Sequence, residues 1–151
     1  MSAITRCIFV LAGFLLLPVA ALAQTAVTQQ QIGNFTYHSG TVSGQSLSGT
    51  SQQVGSFRYT ELRVGNQRLR GTTQGLGQTQ YSRWSDGSSA TTQRLGSFDY
   101  TSTSRGTTYT TQALGNFRYT TGSDGSTATT QRIGNFEYTT VTPGRFRSPR
   151  R

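Results

Sequence analysis

Between residues 25 and 142 polar positions outnumber apolar ones, and the apolar ones return in one phrase, Gln-x-(Ile/Leu/Val)-Gly, usually followed by Asn or Ser and then Phe-x-Tyr. The phrase glycines are Gly33, Gly55, Gly77, Gly96, Gly115 and Gly134, spaced 22, 22, 19, 19 and 19 residues apart. A fixed period of this length marks a repeat architecture, in which each unit is too small to bury its own apolar face. In the unit from Phe117 to Thr140, Phe117 and Tyr119 alternate with polar neighbours and Thr fills the flanks. This β-branched and aromatic composition predicts strands rather than helices. Gly122-Ser123-Asp124-Gly125 predicts a chain reversal, because Asp-Gly tolerates the positive φ of a tight turn. Ser43-Gly44, Gly65-Asn66, Asp86-Gly87 and Arg105-Gly106 lie midway between successive phrase glycines and predict equivalent tips.

The phrase glycine itself reads as a bulge or corner. Ile133 and Phe136 are three apart and would face opposite sides of an unbroken strand, whereas a bend at Gly134-Asn135 returns both to one side. On this reading Ile32, Val54, Leu76, Leu95, Leu114 and Ile133 form an aliphatic layer around a central hub, with Phe35, Phe57, Phe98, Phe117 and Phe136 beside them. Arg58, Asp99, Arg118 and Glu137, each between Phe and Tyr, then face outward and exchange weak ion pairs between units. The end segments Thr25 to Ile32 and Phe136 to Val141 have no local partner. Pairing with each other would close the sheet and remove its edges. The predicted class is all-β, with repeated antiparallel β-hairpins closing into a shallow five- or six-petal barrel over residues 24–142.

Ahead of the repeats, Arg6 precedes an apolar run from Cys7 to Ala23, and Ala21-Leu22-Ala23 before Gln24 has the form of a cleavage site. Residues 1–23 are therefore expected to be a signal peptide, helical in form, with export to the periplasm or the exterior. An uncleaved anchor is the competing reading, although the run is short for a membrane span. Beyond the signal there is no cysteine, so no disulfide and no thiolate ligand or nucleophile is available. The chain carries a formal net charge of +9, and all its basic residues are arginine. Residues 143–151 read as a basic tail, either a solubilising disordered end or a grip for polyanions.

The Q-R-I-G-N-F-x-Y phrases joined by short hairpins, behind an export signal, resemble the bacterial β-flower proteins, shallow barrel-like rings of radiating hairpin petals. The similarity covers Thr25 to Val141. It departs in the third unit, where Gln78-Thr79-Gln80-Tyr81 replaces Asn/Ser-Phe-x-Tyr, and Trp84 is read as a filler for the missing ring or as an exposed contact. What the resemblance implies is architecture rather than activity. Some members look superficially like the phosphoinositide-binding C-terminal domain of Tubby proteins, but shape alone is a weak functional warrant.

Candidate ligand-facing groups are Gln30, Gln52, Gln74, Gln93, Gln112 and Gln131, and Tyr37, Tyr59, Tyr81, Tyr100, Tyr119 and Tyr138. The amides share the aliphatic face and could form a structural belt or line a polar cup. The phenol rings form a circle suited to stacking on sugar-like faces or to covering the rim. Candidate polyanion contacts are Arg63, Arg68 and Arg70, with Arg145, Arg147, Arg150 and Arg151 in the tail. Catalysis has little to work with, since His38 is the only histidine and the five carboxylates are scattered. No catalytic residue, metal ligand or cofactor is assigned.

The leading expectation is an exported non-enzymatic β-repeat domain that binds a polar or anionic envelope component, such as polysaccharide, lipopolysaccharide or acidic lipid. The alternative is a self-assembling, curli-like fibre or coat subunit, stabilised by Gln, Asn, Thr and aromatic side chains in register. Nucleic-acid binding could draw on charge and interleaved aromatics, but export weighs against it.

Overall fold

The computed structural model describes residues 25–144, so the expected signal peptide and the tail arginines lie outside the described residues. The described chain forms twelve strands: β1 (Thr25–Ile32), β2 (Phe35–Val42), β3 (Gln45–Val54), β4 (Phe57–Val64), β5 (Gln67–Leu76), β6 (Thr79–Trp84), β7 (Ser89–Leu95), β8 (Phe98–Thr103), β9 (Thr108–Leu114), β10 (Phe117–Gly122), β11 (Thr127–Ile133) and β12 (Phe136–Thr142). Each pairs antiparallel with its sequence neighbours, and the two end segments do pair, from Thr25↔Val141 to Gln30↔Phe136. The result is a closed barrel.

Two kinds of reversal alternate between the barrel's ends. The midway tips turn as expected: Ser43 and Gly44 both have positive φ (50° and 80°), the signature of a type I′ hairpin. The later tips are three-residue loops closed by bonds such as Gly87 N–H to Trp84 O at 3.1 Å, with Gly87 at φ 82° forming a bulge. The phrase glycines, however, do not bend a continuing strand. Each opens a two-residue hairpin, with Gly33 at φ 58° and Ile32 paired directly to Phe35. Positive φ at the first central position alone is the type II′ turn, which selects Gly there and matches the twist of the flanking strands. This keeps Ile and Phe on one side, as a corner would have, but by reversing the chain.

The side they share is the outer one. Ile32, Val54, Leu76, Leu95, Leu114 and Ile133 are each more than half exposed, and Phe35, Phe57, Phe117 and Phe136 are exposed beside them. The expected aliphatic hub is therefore corrected to an outer band. Arg58, Asp99 and Glu137 are buried against the inner wall, with Arg118 half-buried there, instead of facing outward. Volume decides between the two faces. One face of every hairpin carries an aliphatic residue, a Phe or Thr, a Gln and a Tyr; the other is on the whole smaller, richer in Thr, Ser, Gly and Ala, and it is this face that the closed barrel encloses.

The inner wall is layered, and the layers follow the hairpin register. Nearest the phrase glycines lie Gln31/Thr36, Gln53/Arg58, Gly75/Gln80, Arg94/Asp99, Ala113/Arg118 and Arg132/Glu137. Next comes a hydroxyl belt in which Ser51–Thr60, Thr73–Ser82, Thr92–Thr101, Thr111–Thr120 and Thr130–Thr139 bond across their hairpins at 2.8–2.9 Å. Each such bond contributes about 1 kcal/mol net, and leaving one hydroxyl unpaired would cost more. The third layer pairs a large side chain with a small one: Val27/Gly40, Leu62/Gly49, Trp84/Gly71, Thr103/Ala90, Tyr109/Gly122 and Val141/Ala128. A Cβ on Gly71 would lie 2.7 Å from the Trp84 ring, so the glycine leaves the space that the indole fills. Trp84 is thus buried, and it fills this inner layer rather than the outer place left by the missing phenylalanine. The main apolar cluster joins Val27, Leu62, Trp84 and Ala90 to Val42, Leu47 and Val64, with Leu69 packed against it. Val42, Leu47, Val64 and Leu69 come from β2–β5, the strands that the longer 22-residue intervals extend.

Candidate functional site

The outer wall at the phrase-glycine end is organised in rows, because the type II′ turns hold every hairpin in the same register. The first row alternates aliphatic residues with Phe, as in Val54↔Phe57 and Ile133↔Phe136. The second alternates the candidate glutamines with the candidate tyrosines, as in Gln52↔Tyr59 and Gln131↔Tyr138. Along a strand the two rings stack, with Phe117 and Tyr119 centroids 6.2 Å apart at 15° and Phe57 and Tyr59 6.4 Å apart at 19°. All six of these tyrosines are exposed, and five of the six glutamines lie between a Phe and a Tyr on the outer wall, while Gln93 lies between Tyr100 and Thr79. The amides therefore neither line a cup nor meet around the axis. Beyond them the third row is Thr and Ser on most hairpins, as in Thr28↔Ser39, Thr110↔Thr121 and Thr129↔Thr140. An apolar and aromatic collar thus encircles one end of the barrel and gives way to hydroxyls one row further on.

The collar changes character on β4–β6. There the rows beyond the tyrosines carry Glu61, Arg63, Arg68, Arg70 and Arg83, in the registers Glu61↔Arg70, Arg63↔Arg68 and Thr72↔Arg83. Arg68 pairs with Glu61, and Arg70 Nε lies 3.5 Å from the same carboxylate. The structure so brings together Arg63, Arg68 and Arg70, as expected, and adds Arg83, whose alternation with Trp84 on β6 could have marked it as outward-facing. The collar is also interrupted here, since Thr79 occupies the Phe position opposite Leu76.

Inside the barrel, charges sit close to their registered partners. Arg94 Nε donates to Asp99 Oδ1 at 2.9 Å, and Arg58 Nε donates to Gln53 Oε1 at 3.2 Å. The ion pair forms within one hairpin and on the inner wall, unlike the outer, unit-to-unit pairs expected from the sequence. At the opposite end Asp86 accepts from the Ser88 backbone and hydroxyl and from Arg105. Burial pushes its carboxyl up, but these bonds outweigh it and leave it below the usual carboxylate range.

The sequence did not reveal one further arrangement. In the first hairpin the hydroxyl belt is replaced by Gln29 and His38, and His38 Nε2 meets Ser51 Oγ at 2.7 Å. A histidine beside a serine hydroxyl is the geometry of a base and its nucleophile. Here the serine also bonds Thr60, both members are 2% exposed, and among the described residues the other imidazole nitrogen has no partner to orient it. Burial, helped by the Arg58 charge, lowers the His38 pKa to about 4, which makes it a weak base. Among the described residues no three His, Cys, Asp or Glu side chains cluster as metal ligands. The exposed collar with its basic sector is the candidate site, since exposed apolar rows of this kind are uncommon on monomeric soluble proteins. No protein-family model, curated protein or solved structure matches the chain.

Proposed function

We propose that this is an exported, non-enzymatic barrel of the β-flower kind, with six petals, that seats its collar in a lipid surface of the cell envelope. The observation that carries the reading is the ring of aliphatic, Phe and Tyr side chains, exposed around one end of a barrel whose inner wall at that end is polar. Apolar outside and polar inside is how barrels are built to face lipid. The six hairpins turning at the repeated phrase support the petal count, and the arrangement of residues 1–23 supports export.

The collar's height favours immersion over spanning. Its two rows lie about 7 Å apart along a strand, against an apolar band roughly 25 Å tall in barrels that cross a membrane. Amphipathic elements that lie in the interface bury their apolar faces by about 5–10 Å. Tyrosine in the row farther from the tip fits the interfacial level, where an apolar ring with a polar handle is favoured. Among the described residues no helix is long and apolar enough to cross a membrane. The fibre reading is weakened by closure, because edge-to-edge growth needs an unpaired strand and each of the twelve has two partners.

Co-sedimentation with phospholipid vesicles tests the proposal. The quadruple variant Ile32→Ser, Leu95→Ser, Leu114→Ser, Ile133→Ser removes side chains that contribute little to the fold, each being more than half exposed. Each transfer to lipid should be worth on the order of 1 kcal/mol, so vesicle affinity should fall at least about tenfold while circular dichroism and the urea midpoint hold. Unchanged affinity in the variant, or no vesicle binding by the parent protein, would discard the proposal.

A further inference from the structure

We infer that the β4–β6 sector of the collar is a seat for an anionic, phosphate-bearing lipid. The inference rests on the reading of the collar as lipid-facing and names the lipid class and the place. Among the described residues, every charged side chain on the outer face of a strand belongs to this sector, Glu61 and Arg63 on β4, Arg68 and Arg70 on β5, and Arg83 on β6. The corresponding rows elsewhere carry hydroxyls.

The pairing within the sector is not what strand stability alone would select. Arg63 and Arg68 stand directly opposite one another, and like charges in that register are destabilising. Glu61 is shared by Arg68 and Arg70, and among the described residues no carboxylate pairs with Arg63 or Arg83. Four guanidinium groups and one carboxylate leave an excess of positive charge on one exposed strip. A phosphate diester with its charge at this level would offset that repulsion, and guanidinium matches it through paired N–H donors.

The apolar half of the ligand finds room in the same sector. Phe stands at this position in five repeats, but Thr79 stands in the third, leaving a notch beside Leu76. Tyr81 and Arg83 follow on the same face of the same strand, so the order from barrel tip to waist is notch, phenol ring, guanidinium. A lipid aligned with β6 meets these groups as acyl chain, ester region and phosphate. Thr79 and Arg83 are four residues apart, about 13 Å along the strand, a span that the upper acyl chain and headgroup of one lipid can bridge. A soluble polyanion would use the arginines but has no use for the notch or the collar.

The test compares vesicles of pure phosphatidylcholine with vesicles containing phosphatidylglycerol, using the full barrel and three forms: parent, Arg63→Gln with Arg83→Gln, and Thr79→Phe. The parent should bind the anionic vesicles about tenfold or more tightly, an advantage that shrinks in raised salt. The double arginine variant should lose most of that advantage and keep its affinity for neutral vesicles. Thr79→Phe, which restores the repeat residue, should weaken anionic binding several-fold with the circular dichroism unchanged. Equal affinity for both vesicles, or undiminished preference in the arginine variant, would overturn the sector while leaving the collar reading intact. Failure to bind either vesicle would remove the collar reading itself.

Discussion

Truncating Trp84 to alanine is expected to destabilise the barrel by about 3–5 kcal/mol, the range for removing a large buried aromatic side chain. The indole is 7% exposed, lies in the main apolar cluster and faces Gly71 across the β5–β6 hairpin. Gly71→Val should also be strongly destabilising, because its Cβ alone would stand 2.7–2.8 Å from three atoms of a ring that cannot bend away. The two changes should compensate. With the indole gone the valine occupies part of its space, so the double variant should be more stable than the sum of the single effects predicts by at least about 1 kcal/mol. Urea denaturation of the three variants and the parent measures the coupling. Strict additivity would mean that the glycine is there for backbone reasons and that the large-with-small layer is not what sets this hairpin's packing.

That layer explains why the core was not legible in the sequence while the strands were. The Asp-Gly and Ser-Gly tips mark the reversals at one end and the unpaired ends at Thr25 and Val141 imply closure, whereas the phrase glycines, read as bends in a continuing strand, are hairpin turns. Repetition marks Ile, Leu, Phe and Tyr, however, and these are the residues that face outward. The buried apolar residues change identity from repeat to repeat and keep no fixed place, with Val27 and Tyr109 on the first arm of their hairpins and Leu62, Trp84 and Val141 on the second. What recurs from hairpin to hairpin there is a larger side chain set against Gly or Ala, on whichever arm, which no single-position pattern displays. The assumption that strongly periodic apolar residues form a core assigned the faces wrongly. A count of bulk per face, set against the limited interior of a barrel, would have assigned them correctly. The Gln and Tyr candidates consequently became parts of an outer collar, and the inward turn of Arg58, Asp99 and Glu137 followed from the same reversal.

The first hairpin also departs from the repeat, and its departure should be visible as a pH dependence of stability. Where the other five hairpins carry two hydroxyls, Gln29 faces His38, whose imidazole is 2% exposed and hydrogen-bonded through Nε2. In the unfolded chain this histidine takes up its proton near pH 6.5; in the barrel it does so only near pH 4, because burial and then the neighbouring Arg58 disfavour the cation. Between those values the unfolded state holds more protons than the folded one, so stability must rise with pH. The contribution is therefore complete above about pH 6.5 and is lost as pH falls through the window down to about 4. It amounts to on the order of 3 kcal/mol over the whole interval, or about 2 kcal/mol between pH 7 and pH 5. Gln29→Thr with His38→Thr installs the pair that Thr130 and Thr139 form in the last hairpin, so it removes the titrating group while supplying the bond that its neighbours use. Urea midpoints at pH 7 and pH 5 should separate clearly in the parent and nearly coincide in the double variant. If the double variant keeps the parent's pH dependence, the proton is taken up elsewhere, and the imidazole does not meet the buried, positively flanked environment that the inner wall gives it.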